Sequence, residues 1–199
     1  MYTMISERLK QATHHAHQSL EAMLIPAMKQ IRHSSEYAQL LHLFYGYYYP
    51  LEIILTPFAS AYLPDFEQRR KSALLLRDLE AMGESTDSIP LATKLPAINN
   101  ISQALGAMYV LEGSTLGGTH IAKMLSQQLE LTSNEALLFF QGYGPVTGSM
   151  WKTFIQALND YPATEAEEAL LVQAANDTFD LLKQWTALHY GASYAKEKL

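Results

Sequence analysis

The sequence predicts an all-α fold, because apolar residues recur at three- and four-residue steps along nearly all of its 199 residues. Strand-like alternation of apolar and polar residues is absent from the sequence, and so are the Asn-Gly and Asp-Gly pairs that typically close hairpins. Hydrophobic residues make up 48% of the chain, which is enough for one core of ordinary size. We therefore expect a single all-helical domain over residues 1–199.

Caps, prolines and glycines indicate where each helix begins and ends. The predicted helices span residues 6–24 (ending near Pro26), 34–62 (with a kink or break at Pro50), 65–83, 99–129, 134–141, 147–159 and 163–196. A loop rich in Ser, Thr, Asp and Pro is expected over residues 84–96. No repeat, low-complexity tract or long linker divides the chain, which favours one domain.

Composition and charge exclude several classes of function. The chain has no cysteine, which excludes disulfides, cysteine-based zinc and iron–sulfur sites, and thiol nucleophiles. Its net charge of −6 argues against nucleic acid or an anionic membrane surface as a partner. No segment approaches the roughly 20 apolar residues of a membrane span, and the N-terminus lacks a secretory apolar core, so we expect a cytoplasmic protein.

The first predicted helix has the residues needed to ligate heme. His17 shares a helix face with Lys10, seven residues before it, and with Glu21, four residues after it. Lys10 lies about 10 Å from His17 along the axis, roughly the distance from a heme iron to a propionate. One helix could thus supply an axial imidazole and a propionate cation, while Glu21 accepts a hydrogen bond from the second ring nitrogen. Surface histidines on an ordinary amphipathic helix are the alternative, and we assign His14 and His15 to it.

A dinuclear metal site is another possibility for histidines and glutamates in a helical protein. Its usual signature is Glu-x-x-His on two helices. Here Glu112 is followed at that spacing by Thr115, and Glu21 by Leu24. The signature is therefore missing at both glutamates.

The predicted helix over residues 99–129 is interrupted by four glycines, at positions 106, 113, 117 and 118. Each interior glycine costs roughly 0.8–1 kcal/mol relative to alanine, so the four together cost about 3–4 kcal/mol. Gly113 and Gly117 lie four residues apart on one face, where a flat ligand or another helix can approach the bare backbone. The spacing alone favours neither explanation.

Two segments resemble heme oxygenases. Residues 9–17 (LKQATHHAH) resemble the proximal helix of that family, and residues 109–118 (YVLEGSTLGG) resemble the distal helix of its bacterial branch, which is often associated with phytochromes. Weaker similarity extends to residues 74–79 (LLLRDL), residues 142–144 (GYG), Gly148 and Trp151. The resemblance covers essentially the whole chain in order.

The resemblance implies an all-α, single-domain fold in which heme lies between the first helix and a kinked, glycine-rich distal helix. His17 would be the proximal iron ligand, and Gly113 and Gly117 would lie against the distal heme face. A bulky residue at either glycine should block the site or redirect the oxidation.

Further cofactor-binding residues follow from the resemblance position by position. Lys10 matches a propionate contact, Lys152 matches more loosely a second basic contact, and Phe179 on the last helix corresponds to an aromatic of the pocket wall. Many members carry aspartate after the first distal glycine, where it orders the water that delivers protons to bound O2. Ser114 stands there in this chain, and its hydroxyl can still hold a water, with Thr115 or a backbone carbonyl sharing the role. We therefore assign Ser114 as a catalytic residue together with the two distal glycines.

The activity implied is cleavage of heme to biliverdin, CO and Fe2+, with heme as substrate and cofactor and with O2 as oxidant. No Gly-x-Gly-x-x-Gly segment marks a nicotinamide or flavin site, so electrons are expected from a ferredoxin or flavoprotein that docks near Lys10 and Lys152. Arg8 is assigned to ordinary surface charge. A phytochrome is the expected acceptor of biliverdin.

Three other functions compete with this interpretation. A non-catalytic heme-binding or storage protein would need the same His17 and Lys10 but no distal water network. Pyrimidine hydrolases of the thiaminase type share the helical architecture but rely on a cysteine nucleophile, which this chain lacks. A purely structural helical domain leaves the four glycines of the distal helix unexplained.

Overall fold

The computed structural model describes residues 4–189, which fold into α-helices joined by turns, two 3-10 segments and a long loop over residues 82–100, with no strand in that range. The all-α prediction is therefore confirmed. The helices are α1 (Ile5–Lys29), α2 (Ser34–Tyr62), α3 (Ala73–Ala81), α4 (Ile101–Gln128), α5 (Leu138–Gln141), α6 (Thr147–Asp160) and α7 (Glu165–His189). No helix within residues 4–189 combines the length and apolarity needed to cross a membrane.

The prolines do not end helices where the sequence predicted. Helix α1 continues through Pro26 to Lys29, so the end expected there is wrong, and α2 passes through Pro50 without a break, so of the two possibilities at Pro50 only a kink stays a prediction. A proline inside a helix removes one backbone hydrogen bond and crowds the preceding turn. Burial offsets that cost here, because Met28 and Leu51, just beyond the two prolines, are almost completely buried.

Three other predicted boundaries also move. The helix expected over residues 65–83 begins only at Ala73, after a 3-10 turn at Phe66–Gln68. The helix expected over residues 134–141 shortens to α5, and α7 starts at Glu165 rather than directly after Pro162. The predicted end of the last helix, at residue 196, lies outside the described residues.

Helix α7 connects the two helices that the sequence assigned to a ligand. It packs along both α1 and α4, whereas α1 and α4 make few direct contacts with each other over the described residues. Helix α6 packs against both as well, and α2 covers α4 from another side. One hydrophobic core, to which every one of these α-helices contributes buried residues, holds the arrangement together.

Two glycines of α4 are required by helix packing. A Cβ atom at Gly106 would lie 2.1 Å from the carbonyl oxygen of Leu171 on α7, and one at Gly118 would lie 2.3 Å from the carbonyl oxygen of Phe140 on α5. Neither backbone oxygen can move away cheaply. Close approach of neighbouring helices therefore explains half of the glycines that interrupt α4.

The side chain of Asp78 on α3 caps the N-terminal end of α5. Its fully buried carboxylate accepts hydrogen bonds from the backbone N–H groups of Leu138 (2.8 Å) and Phe139 (3.0 Å). Burial raises the pKa of Asp78 to about 6, although these two bonds favour the charged form. The carboxylate is therefore less acidic in the folded chain than its ordinary value of about 3.9 in an unfolded one.

This difference makes stability depend on pH. The folded state binds the Asp78 proton more tightly than the unfolded state does. Protonation of Asp78 therefore stabilises the fold fully below about pH 4, and this stabilisation is lost as the pH rises through about 6. In wild type, ionisation of Asp78 should lower the unfolding free energy by on the order of 2 kcal/mol over that pH interval, and we expect Asp78→Asn to lack this decrease. Urea denaturation at several pH values measures it, with the exposed Asp87→Asn as control. Identical pH profiles for wild type and Asp78→Asn would contradict the assignment.

Candidate functional site

His17, Glu21 and Phe179 come together at the surface of α1 and α7. The His17 side chain is 50% exposed, its Nε2 lies 3.4 Å from Oε1 of Glu21, and its ring centroid lies 5.3 Å from that of Phe179. Phe179 is itself buried, so it supports one side of the imidazole ring. With Nε2 facing the carboxylate, Nδ1 is the free ring nitrogen, and a half-turn of the ring exchanges the two roles.

Gly113 and Gly117 are not required by helix packing. A Cβ atom at Gly117 would have no neighbour within 4 Å, and one at Gly113 would only touch the edge of the Trp151 indole at 3.7 Å. An alanine would fit at both positions, in contrast to Gly106 and Gly118. The four glycines therefore divide into a pair that packs against other helices and a pair whose bare backbone is accessible.

Helices α1 and α4 approach each other close to both predicted faces. The phenol of Tyr109 on α4 interacts with the side chain of Thr13 on α1, and its ring packs 5.5 Å from that of Trp151. Thr13 precedes His17 by four residues, and Tyr109 precedes Gly113 by four. The imidazole and the accessible glycines thus belong to the same part of the molecule. Tyr109 lies in the quoted distal segment, but the sequence analysis gave it no role.

The two predicted basic contacts are exposed. Lys10 lies on α1 and Lys152 on α6, and neither has a carboxylate partner among residues 4–189. Arg8, by contrast, forms an ion pair with Glu168 at the start of α7, as expected for ordinary surface charge. The two lysines are therefore cations of this region that remain available to an anionic group.

Ser114 is part of a hydrogen-bond network that the sequence did not reveal. Its hydroxyl donates to the carbonyl of Leu111 (2.7 Å) and accepts from Nη2 of Arg70 (2.6 Å) and from the phenol of Tyr48 (3.3 Å). A cavity of about 20 Å³, enough for one water, is lined by Tyr48, Arg70 and Leu111 among others. The signal for this network was the run of three cations at residues 69–71, placed by the sequence analysis in an ordinary helix.

A buried ionic cluster lies beside Ser114. The carboxylate of Glu112, 2% exposed, accepts hydrogen bonds from Nη1 of Arg69 (2.8 Å) and from the phenol of Tyr143 (2.9 and 3.0 Å). Burial raises the pKa of Glu112, and the nearby Arg69 guanidinium opposes that change. The sequence analysis considered Glu112 only as a metal ligand and did not assign Arg69 or Tyr143 to the site.

The turn that carries Tyr143 depends on two glycines. Gly142 and Gly144 have φ angles of +59° and +57°, a conformation that disfavours side chains. Their positive φ angles let the chain reverse sharply on both sides of Tyr143. The segment quoted as Gly142–Tyr143–Gly144 therefore serves to aim one phenol at Glu112.

The heme oxygenase family model matches residues 3–187 of this chain. The chain belongs to the heme oxygenase family. Among curated proteins, it is 27% identical over 176 residues to heme oxygenase PigA of Pseudomonas aeruginosa, a match that covers 88% of this chain and 87% of the relative. The resemblance of its proximal and distal segments to heme oxygenases is thus confirmed, while its assignment to the phytochrome-associated branch stays a prediction.

Solved structures of heme oxygenases share the fold of this family member. The enzyme from Neisseria meningitidis, solved with NO and CO bound, has a TM-score of 0.81 at 22% identity and covers 96% of this chain and 94% of its own. The enzyme from Leptospira interrogans has a TM-score of 0.75 at 19% identity, with 94% and 100% covered. Heme oxygenase-1 from Synechocystis, solved in complex with heme, has a TM-score of 0.75 at 16% identity, with 98% and 96% covered.

Proposed function

We propose that this protein is a heme oxygenase that cleaves heme to biliverdin, CO and Fe2+, using O2 and external electrons. The observation that carries the proposal is the division of the α4 glycines, because Gly113 and Gly117 stay side-chain-free where no neighbouring backbone would exclude a Cβ atom. A bare backbone in that position suits a flat ligand that must approach the helix closely. The family membership and the partly exposed imidazole of His17 support the same ligand.

The residues present fit heme as substrate. His17 would ligate the iron, Glu21 would hold the second ring nitrogen, and Phe179 would support the imidazole ring. Lys10 and Lys152 would neutralise the propionates, since both are exposed and have no carboxylate partner within the described range. Heme supplies the iron at which O2 reacts and is itself the molecule oxidised.

On the distal side the chain contributes geometry and a proton source. Gly113 and Gly117 let the α4 backbone restrict the space beside the substrate and direct oxidation toward one edge. The Ser114 hydroxyl already donates to Leu111 and accepts from Arg70 and Tyr48, so it would act by holding these two donors beside the space where a distal water is needed. A cavity of about 20 Å³ lined by Tyr48 and Arg70 has room for one water.

Electrons would come from a ferredoxin or flavoprotein that docks on the face carrying Lys10 and Lys152. Acidic redox proteins are steered by local positive charge even where the net charge is negative. Arg8 does not contribute, because Glu168 pairs with it. A phytochrome would then receive the biliverdin in a cytoplasmic setting.

Ser114→Ala is expected to slow biliverdin formation by about five- to tenfold, because the hydroxyl that holds Arg70 and Tyr48 beside the distal water is lost. Hemin affinity should stay nearly unchanged, since Ser114 contributes no ligand to iron. Single-turnover absorbance kinetics with a ferredoxin system measure the rate. Ser149→Ala, which removes an exposed hydroxyl on α6, serves as the control. Normal turnover in Ser114→Ala would show that the water is held elsewhere.

A non-catalytic heme-binding or storage protein is the second candidate function. It is favoured by Ser114 itself, whose hydroxyl is already engaged by Leu111, Arg70 and Tyr48. Adding hemin and recording the Soret band, then adding ascorbate or a ferredoxin system in air, separates the two. Appearance of biliverdin bands supports the oxygenase, and a stable Soret band supports storage.

A further inference from the structure

The buried cluster around Glu112 is unusual for a helix interior. A carboxylate and a guanidinium are both withdrawn from water there, since Glu112 and Arg69 are 2% and 3% exposed. Removing two charges from water costs several kcal/mol per ion, and apolar residues of similar size are often as stable. A buried ion pair is therefore weak evidence for stability and is better explained by the geometry that it imposes.

The geometry concerns Arg69, whose guanidinium is held from two sides. Nη1 donates to Glu112, while Nε and Nη2 donate to the carboxylate of Asp65 at 3.0 and 2.7 Å. Planar, multiply bonded guanidinium groups have little freedom to reorient. The backbone at position 69 is thereby anchored to α4 through Glu112.

Glu112 is also linked to Arg70, the residue after Arg69, through Tyr143. The Tyr143 phenol donates to Glu112 and accepts the backbone N–H of Arg70 at 2.7 Å. The Arg70 guanidinium then lies over the Phe139 ring, 4.1 Å from its centroid. Both consecutive arginines are thus oriented by one carboxylate, the first by its side chain and the second by its backbone.

The oriented Arg70 side chain meets α4 at the turn that contains Gly113. Its Nη2 donates to the carbonyl of Leu111 (2.7 Å) and to the hydroxyl of Ser114 (2.6 Å). Leu111 and Ser114 lie on either side of Gly113 in sequence, so Arg70 bridges the turn that contains this glycine. The direction of the Ser114 hydroxyl therefore depends on where Arg70 is held.

We propose that Glu112 is a positioning residue that, through Arg69 and Tyr143, fixes the Arg70 guanidinium against Ser114 and so sets the polar surface beside Gly113. Glu112 does not itself reach that surface, because its carboxylate is occupied by Arg69 and Tyr143 in the buried cluster. The inference rests on the proposed function, since that surface matters to heme chemistry only if heme lies beside it.

The test uses the midpoint of the pH-dependent change in the Soret band of the hemin complex, which reports the polar groups next to the iron. Glu112→Gln and Tyr143→Phe should each shift that midpoint by about half a unit to one unit of pH, as expected for one lost oriented hydrogen bond. The double variant should shift it no further than the larger single change, because both act through Arg70. Glu67→Gln, which removes an exposed carboxylate of the same segment outside the cluster, should leave the midpoint unchanged.

A second readout needs no hemin. Hydrogen exchange of the peptide over residues 109–118 should be about fivefold faster in Glu112→Gln and Tyr143→Phe than in wild type or Glu67→Gln. Tyr143→Phe keeps every charge and decides the matter if Glu112→Gln fails to fold. An unchanged Soret midpoint in variants that bind hemin would overturn the positioning role. Wild-type protein that does not bind hemin would instead overturn the proposed function, and unchanged exchange would then overturn the positioning role independently.

Discussion

Alanine at position 17 is expected to abolish the histidine-ligated hemin spectrum and all biliverdin formation. The imidazole of His17 is half exposed on α1, with Glu21 on one side and Phe179 on the other, and because it is the proposed proximal ligand its loss would leave the iron without one. Turnover should fall below detection, which means at least about a hundredfold. Optical and resonance Raman spectra of the hemin complex provide the measurement.

The neighbouring histidines supply matched controls for His17→Ala. His15 is exposed on the same helix but lies off the face that carries Lys10 and Glu21, whereas His14 is exposed on that face, one turn before His17. His14→Ala and His15→Ala should keep the wild-type spectrum and rate. An unchanged spectrum in His17→Ala, or loss of the spectrum in His15→Ala, would reject the ligand assignment.

Alanine substitutions at the four α4 glycines are expected to separate into two classes. Gly106→Ala and Gly118→Ala place a Cβ atom 2.1 and 2.3 Å from backbone oxygens, so each should destabilise the fold by about 1–3 kcal/mol or more. Gly113→Ala and Gly117→Ala meet no such obstacle and should raise the stability of the hemin-free protein by up to about 1 kcal/mol through helix propensity. Urea denaturation without hemin measures all four.

Larger side chains at Gly113 and Gly117 should impair hemin binding even though the hemin-free protein tolerates them. Gly117→Leu fills space in which no protein atom lies within 4 Å of the Cβ position, so the helix should tolerate it while hemin affinity falls or the biliverdin isomer changes. Gly113→Leu should act in the same direction. Wild-type affinity and isomer in Gly117→Leu, or strong destabilisation of the hemin-free Gly117→Ala, would show that this face of α4 contacts protein instead.

The sequence predicted the fold class well because the information is local. Three- and four-residue periodicity and a shortage of strand and hairpin signals required no knowledge of long-range contacts. The same local rules predicted an end at Pro26 and a kink or break at Pro50, yet both helices continue. Burial of the following turns, at Met28 and Leu51, offsets the lost hydrogen bonds, and that burial is a long-range effect.

The site residues also divide into those that local sequence could group and those that only the tertiary structure brings together. His17, Lys10 and Glu21 are related by helical spacing on a single helix, so the sequence could group them without tertiary information. Phe179 lies more than 150 residues from His17 and was assigned only by family resemblance; the structure brings the two rings to 5.3 Å. Arg70, Tyr48 and Tyr143 were missed because their contacts with Ser114 and Glu112 join segments that no periodicity relates.

By itself the sequence determined that the chain is helical, which face of α1 could hold an iron, and that α4 has four costly glycines. Only the tertiary structure decided which of those glycines serve packing and which leave the backbone accessible. The reason is that the positions of glycines in a helix show where side chains are absent but not what fills the space. At Gly106 and Gly118 the space is filled by Leu171 and Phe140, which belong to elements far away in sequence.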